Sequence, residues 1–431
     1  MDNILFGKSI KKQILEQAFT KKEYFLFLSL MIFSFIPSIN QLVIDRLISS
    51  IGGNEFSIAS QIEWFDLFNE TILAFLTVPM YFVFNKAKDN IEMSSRINTT
   101  FIIAFILYLC ISGVIYFYAT NLISYMNAPK ESIDYLKLET FGFIIGFISS
   151  YIYIIFVVKG KYEYFVTLLI IKVIMLSIGN ILLIPNNGAT GVAITNILVN
   201  FIISIVSIFL LYRENLIKSW TGINKEAIKD WFKTGIFSGM QVFIANLVYI
   251  AVVMKMVGQV SQMGNFWLAN NFIWGWLLIP VMSMGEMIKR EYYNGYKRIW
   301  NYIILAILII LLWLISIPLW KFMFEYIIKA NEVDIILNII YKSLPFYICY
   351  VFCVLIQSIL ISVGKTNYIF YECLIVNFIY YGVAYILVTK GIFLVSMDFI
   401  ILLFGFGLIV SLIIDIYLYQ YSKKHLLTNY N

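Results

Sequence analysis

Apolar residues run through this chain in long blocks separated by short polar connectors. The blocks cover residues 24–51, 57–84, 97–120, 136–158, 162–184, 189–212, 233–257, 263–288, 299–328, 336–361, 366–388 and 393–419, twelve in all. A helix needs roughly twenty apolar residues to cross the hydrocarbon core of a bilayer. Most of these blocks reach that length, and the longer ones permit tilt, a kink or a turn among the headgroups. Period-two alternation with aromatic girdles is absent, which argues against a transmembrane barrel. The pattern predicts an all-α polytopic membrane protein with twelve transmembrane helices.

The connectors set the orientation. An inside N-terminus places 22 of the 31 Lys and Arg residues on the cytoplasmic side and eight outside, with Lys172 left inside a helix. Short loops with that bias predict both termini inside and an even number of spans. Residues 1–23 carry lysines among spaced apolar positions, the pattern of an amphipathic arm on the membrane surface and not of a signal peptide. Residues 213–232 form the longest polar stretch, with Arg213, Lys218, Lys225 and Lys229 interleaved with Ile217, Trp220, Ile223, Ile228 and Trp231. That stretch reads as a cytoplasmic amphipathic linker between a six-helix lobe at 24–212 and a second at 233–419, with a cytoplasmic tail at 420–431.

The halves echo one another. Ile51-Gly52 and Ala59 to Trp64 answer Val257-Gly258 and Ala269 to Trp274, Ala128 with Asp134 answers Ala330 with Asp334, and Gly160-Lys161 with Tyr164 answers Gly364-Lys365 with Tyr368. Their common order and shift indicate a tandem duplication. Because six is even, both copies would share one orientation, related by an axis along the membrane normal.

Composition narrows the function. The chain is 61% hydrophobic and 13% charged, so a soluble core is excluded, and its net charge of +6 sits in short loops instead of a nucleic-acid patch. Cys110, Cys349, Cys353 and Cys373 lie in apolar runs without the clustered partners of a metal site. No nucleotide-binding loop, zinc motif or nucleophile–base set is present, and the sole histidine is His425, so neither an enzyme nor an ATP-driven engine is expected, and no cofactor.

The intramembrane polar residues are the candidate chemistry. Gln41 and Asp45 lie one turn apart in the first run, and Glu63, Asp66 and Glu70 share a face of the second. The fifth run carries Lys172, Ser177 and Asn180, and the sixth carries Thr195, Asn196 and Asn200. A carboxylate among amides and hydroxyls suits a proton or a sodium ion, with Asp45 as the charge; alternatively, Asp45 and Arg46 anchor a helix end at the interface. Lys172 either contacts a ligand or pairs with Glu139 as structural glue, and the asparagines equally suit helix packing. In the second half, Trp267, Trp274, Trp276, Asn270, Asn271 and Pro280 either line a cleft, with Asn271 and Trp274 on one face, or pack against helices and lipid. Pro280 suits a bend, and Glu372 is a buried carboxylate that is costly without a partner.

These residues resemble the multidrug and toxic compound extrusion (MATE) family, within the superfamily that includes lipid-linked oligosaccharide flippases. The resemblance covers about residues 20–420 and rests on Pro37 with Asp45, on Ile51-Gly52-Gly53 with Ala59, and on Asn180 and Ile184 leading to Gly188-Ala189-Thr190-Gly191-Val192-Ala193-Ile194-Thr195. It implies a cation site in the first lobe in which Asp45 supplies the carboxylate and Thr195 a hydroxyl. The family's carboxylate on the fifth helix is replaced here by Asn180, and the preceding Asn of the pattern falls on Leu176, which marks a divergent branch.

The expected activity is H+- or Na+-coupled antiport that exports amphipathic organic compounds by rocker-switch alternating access. Asp45, Asn180 and Thr195 are the candidate cation ligands, and Gln41, Glu70, Lys172, Asn271, Trp274 and Glu372 the candidate cleft residues. The expected partners are the bilayer of the cell inner membrane and a small amphipathic or lipid-like substrate, with no nucleic acid, and the expected working unit is a monomer. A flippase for a lipid-linked saccharide is the alternative; it calls for a basic cavity, and the helix interiors offer only Lys172. Single cysteines at Asn54, Asn127 and Asn186 should react with an impermeant maleimide in intact cells, while one at Ser219 stays protected. External labelling at Ser219 would overturn the topology.

Overall fold

The computed structural model describes residues 19–62, 64–65, 69–71, 74–75, 90–158, 161–214, 222–293, 298–363 and 365–428. Most of the arm expected at 1–23, much of the second apolar run and residues 215–221 of the linker lie outside them. The described residues are helical and include no strand. In chain order they form α1 (Lys21–Ile51), α2 (Glu55–Ala59), α3 (Asn90–Tyr125), α4 (Ser132–Val158), α5 (Tyr162–Asn187), α6 (Ala189–Arg213) and α7 (Lys225–Val248). There follow α8 (Met263–Phe272), α9 (Ile279–Tyr293), α10 (Ile299–Phe322), α11 (Val333–Ser362), α12 (Thr366–Leu374), α13 (Gly382–Thr389) and α14 (Met397–Thr428). Ten helices among the described residues are long and apolar enough to cross a membrane, or eleven if the pair bent by 46° between Leu277 and Ile279 is one span. The chain is a multi-pass membrane protein, and its exposed apolar side chains, such as Phe117, Ile315 and Leu319, are those of a lipid-facing surface.

Two compact units share this chain. The central unit is Ile39–Trp267, and the terminal unit joins Met1–Ser38 to Leu268–Asn431. One junction falls inside α1 immediately after Pro37, whose ring removes a backbone donor from the helix. The other falls inside α8.

In the central unit, aromatic rings of α3 and α4 make the core: Tyr108 and Phe147 stack with centroids 4.8 Å apart, and the Tyr151 hydroxyl lies 2.8 Å from both Thr100 Oγ1 and the Ile97 carbonyl. The α4–α6 seam is polar. Asn196 Nδ2 donates to Glu139 Oε1 at 2.9 Å, Asn200 Nδ2 to the Gly142 carbonyl at 3.0 Å and Ser204 Oγ to the Ile145 carbonyl at 2.9 Å. Four-residue spacing puts these three donors on one stripe of α6, and Gly142 and Gly146 let it approach closely.

Helix α7 begins earlier than the linker reading allows. Asn224 Oδ1 accepts from the Ala227 backbone N–H at 2.9 Å and caps the helix. Trp231, expected on a surface segment, is buried, and its Nε1 donates to the Phe75 carbonyl at 2.6 Å. Arg96 clamps this end of α3 to α7, 2.8 Å from Glu92 and 3.4 Å from Asp230. Between the spans, Lys161 Nζ sits 2.7 Å from Glu214 Oε2, and the Tyr164 hydroxyl donates to Oε1 at 2.7 Å. The bond to Glu214 holds Lys161 above the ordinary lysine value, and the bond from Lys161 holds Glu214 below the carboxylate value. The contribution of Glu214 is present above its unfolded-state value and is lost as pH falls through the lowered folded one. That of Lys161 is present below its unfolded-state value and is lost as pH rises through the raised one.

Wider turns interrupt four helices. The α7 helix continues through a π-turn segment, Tyr249–Met254, to Lys255–Gln259, and α8 through Ile273–Leu277; Met323–Ile328 follows α10 and Ile375–Tyr381 joins α12 to α13. In the bilayer, a carbonyl freed by such a turn needs a new donor. The Tyr125 hydroxyl donates to the Ala251 carbonyl at 2.9 Å, and Trp313 Nε1 to the Leu277 carbonyl at 2.8 Å.

Close packing near the end of α7 makes a local test. A Cβ on Gly258 would lie 2.0 Å from the Met126 carbonyl oxygen, whereas one on Gly113 meets nothing within 4 Å. Gly258→Ala should destabilise the detergent-solubilised protein by about 1–3 kcal/mol in thermal unfolding. Gly113→Ala should be neutral or stabilising by up to about 1 kcal/mol. Equal melting temperatures for the two variants would contradict this packing.

Candidate functional site

The polar residues of α1 supply the site's first side. Asp45 is buried, 5% exposed, and its Oδ1 accepts from Gln41 Nε2 at 2.9 Å, one turn earlier on the same helix. Asn40, beside Gln41, turns its Oδ1 to α5, accepting from Asn180 Nδ2 at 3.1 Å and from Ser177 Oγ at 3.4 Å. Asn180 is fully buried, and its own Oδ1 has no hydrogen-bond partner among the described residues. A buried acceptor without a donor is suited to a cation.

The second side is α6. Thr195 is buried and donates its hydroxyl hydrogen to the Gly191 carbonyl at 2.8 Å, which leaves the oxygen able to accept. A Cβ on Gly179, the residue before Asn180, would lie 2.6 Å from Thr195 Cγ2, so α5 and α6 touch here only because that residue is glycine. Asn180, Asn40 and Thr195 are thus gathered where α1, α5 and α6 meet. Asp45 follows on α1, and Ile44 and Ile48 beside it pack with Ile184, Val192 and Ala193 in one apolar cluster.

A residue that sequence reasoning passed over fixes this junction. Glu55 Oε2 accepts from the Ala189 backbone N–H, the start of α6, at 2.6 Å. A carboxylate there meets the unpaired N–H groups and the positive end of the helix dipole. Gly188 holds φ at +59°, and a Cβ on it would lie 2.4 Å from that same carboxylate oxygen, so the Gly188-Ala189-Thr190-Gly191 stretch is built to receive Glu55. The only sequence signal was the glycine pair before Glu55, which turns the chain back after α1.

Other candidates are placed differently. Asn196 and Asn200 face α4, so they are packing groups outside the α1–α5–α6 junction. The pairing of Lys172 with Glu139 is not formed: Glu139 is held by Asn196, and Lys172 has no ion pair among the described residues. Glu70 is exposed, and its Oε2 accepts from Asn246 Nδ2 at 2.5 Å. Glu63 and Asp66 lie outside the described residues.

In the terminal unit, the π-turn Ile273–Leu277 reorients the tryptophans. Trp274 is 40% exposed and lies 5.8 Å from the Tyr350 ring, while Trp276 lies 5.6 Å from Phe35 of α1 and Trp267, within the central unit, lies 6.0 Å from Phe56. Asn271 presents a buried Nδ2 with no hydrogen-bond partner among the described residues. Glu372 is buried and accepts a hydrogen bond from Ser411. Asp415 lies in the same unit with Gln357 Nε2 2.9 Å from its Oδ2 and was not singled out in the sequence, because it sits close to the end of the last apolar run. No group of three or more His, Cys, Asp or Glu residues among those described is arranged to hold a metal ion.

Glu55→Gln removes the charge and keeps the shape of the α6 cap. It should cost about 0.5–2 kcal/mol in thermal unfolding, with the loss shrinking in high salt. An unchanged melting temperature at low salt would contradict the role given to this carboxylate.

No protein-family model and no curated protein matches the sequence. Solved structures do. A multidrug resistance MATE family transporter of the MOP superfamily, in an inward-facing conformation, is 15% identical with a TM-score of 0.73 over 94% of this chain and 99% of its own. A MOP superfamily transporter from Pyrococcus furiosus, whose binding pocket is described as reversed in polarity, is 15% identical with a TM-score of 0.66 over 94% and 95%. The lipid II flippase MurJ in an inward closed conformation is 14% identical with a TM-score of 0.70 over 91% and 87%. At such low identity the likeness is one of fold: this chain has the fold of MATE transporters and of the lipid II flippase.

Proposed function

We propose that this chain is a secondary active transporter of the cell inner membrane that exports amphipathic organic compounds in exchange for H+ or Na+. It works as a monomer, with both termini cytoplasmic and with two six-helix halves, 24–212 and 233–419, giving alternating access. The observation that carries the reading is the junction of α1, α5 and α6, where Asn180 meets Asn40 while its Oδ1 has no donor among the described residues, with buried Asp45 five residues further along α1. A buried carboxylate beside neutral oxygens can take up a proton or complete the shell of a small cation, and it releases either when water reaches it. Asp45 supplies the charge, while Asn180 and Thr195 supply neutral oxygens. Asn271 and Trp274 present an amide and a partly exposed ring suited to an apolar, flat substrate.

One observation favours a second reading. Lys172 has no ion pair among the described residues, and an unneutralised ammonium inside a helix suits an anionic headgroup, as in a flippase for a lipid-linked saccharide.

Asp45→Asn keeps the size and most of the hydrogen bonding of the side chain and removes its charge. In proteoliposomes, uphill efflux of a fluorescent amphipathic cation should fall to the level of protein-free vesicles. Thr195→Ala should only weaken ion dependence, and Asn180→Asp should strengthen it or shift its pH range. Parental uphill transport by Asp45→Asn across pH and sodium concentration would return Asp45 to an interfacial anchor. Transport of a lipid-linked saccharide with no flux of the organic cation would select the flippase.

A further inference from the structure

The terminal unit buries a second acidic pair. Glu372 on α12 is 5% exposed and Asp415 on α14 is 0% exposed. Ser411 donates to Glu372 Oε1 and lies one turn before Asp415, so α14 turns the Ser411 hydroxyl and the Asp415 carboxylate toward the same neighbours. Gln357 on α11 donates Nε2 to Asp415 Oδ2 at 2.9 Å. Asp415 Oδ1 is buried without a hydrogen-bond partner among the described residues. Through Ser411, bonded to Glu372 and one turn before Asp415, the two acids share one neighbourhood at the α12–α14 contact.

We propose that Glu372 and Asp415 form a proton-binding site of the terminal unit, in which the pair holds one proton at neutral pH. The site is separate from Asp45, and it stands whether or not the transport reading does.

Among the described residues, the surroundings supply no compensating charge. From α11 come Gln357, Cys353 and Cys349; from α12, Glu372 and Cys373; from the π-turn segment that follows it, Tyr380 and Tyr381; and from α14 itself, Ser411. The two tyrosine hydroxyls already donate to backbone, to the Leu403 carbonyl at 2.9 Å and the Phe404 carbonyl at 3.3 Å. The Cys353 thiol points to the Leu408 carbonyl at 3.7 Å. Of the basic residues described on or beside these elements, Lys342 Nζ is 2.6 Å from Asp398, and Lys365 Nζ lies 5.6 Å from the Tyr368 ring. Two adjacent carboxylates cannot both stay ionised in an apolar interior without a cation.

A proton fits better than a metal ion. Sodium needs several converging oxygens, whereas here the Gln357 N–H and the Ser411 O–H already point at the carboxylates and thiols occupy the α11 side. A proton held at this site removes one negative charge, and on Asp415 Oδ1 it gives that orphaned oxygen a hydrogen. Its loss leaves two like charges buried where α12 meets α14, so the packing of these two helices becomes sensitive to pH.

The test is infrared difference spectroscopy on the purified full-length protein in lipid nanodiscs, read as the protonated-carboxyl carbonyl band. Wild type at neutral pH should show such a band that shifts in D2O, disappears as pH is raised, and is unaffected by NaCl at constant ionic strength. Glu372→Gln and Asp415→Asn should each displace it, and the double variant should lose it, while Asp45→Asn leaves it in place. Either single variant reports on the same site, so a folding failure in one leaves the other decisive. A wild-type spectrum without the band at neutral pH, a band untouched by both substitutions, or its removal by sodium would overturn the proposal. Failure of transport in the Asp45→Asn variant bears on the other reading and leaves this one standing.

Discussion

The structure depends on one constraint: carboxylates placed inside apolar helices are held by neutral donors. Asp45 accepts from Gln41, Glu139 from Asn196, Asp415 from Gln357 and Glu372 from Ser411. A neutral donor satisfies part of a carboxylate's hydrogen bonding and cancels none of its charge. A carboxylate held by neutral donors alone keeps an appetite for a cation or a proton. Where the protein needs a permanent clamp it uses a guanidinium instead, as in Arg96 with Glu92 and Asp230 or Arg298 with Glu23.

The same economy governs the backbone. A π-turn lets a helix turn different side chains toward its neighbours, and it frees a carbonyl that lipid cannot satisfy. Tyr125 and Trp313, each reaching from another helix, take up the carbonyls of Ala251 and Leu277. Aromatic side chains with one polar atom suit this use, because the ring packs among apolar neighbours while the hydroxyl or indole N–H meets the exposed oxygen. The rich aromatic content of the chain thus serves the interruptions of its helices as well as its lipid face.

Long apolar runs were legible as spans because a bilayer demands length and hydropathy before anything else, and the observed helices overlap those runs. Pro280 marked the region of the bend. Boundaries were less legible: α14 continues to Thr428 beyond a run that ended at 419, and α7 starts at Lys225 because Asn224 caps it and Trp231 is buried. Within the site, Asp45, Asn180 and Thr195 stood out as polar residues in apolar surroundings. Their partners did not. Asn40 and Glu55 at this junction, like Asp415 in the terminal unit, act through contacts between distant segments, and helical spacing along one segment carries no record of which neighbour a side chain meets. For the same reason Glu139 could be matched with Lys172 on paper, while the α4–α6 approach at Gly142 gives it to Asn196.

In the proposed transport cycle, a cation bound at the α1–α5–α6 junction drives movement through the protein. The direct measurement uses wild-type protein in sealed liposomes loaded with a fluorescent amphipathic cation, with proton and sodium gradients imposed separately and no ATP. The account predicts uphill movement of the compound under one of these gradients, dissipated by the matching ionophore and accompanied by counterflow of that ion. Movement that only follows the compound's own gradient, with no ion counterflow under either condition, would contradict it.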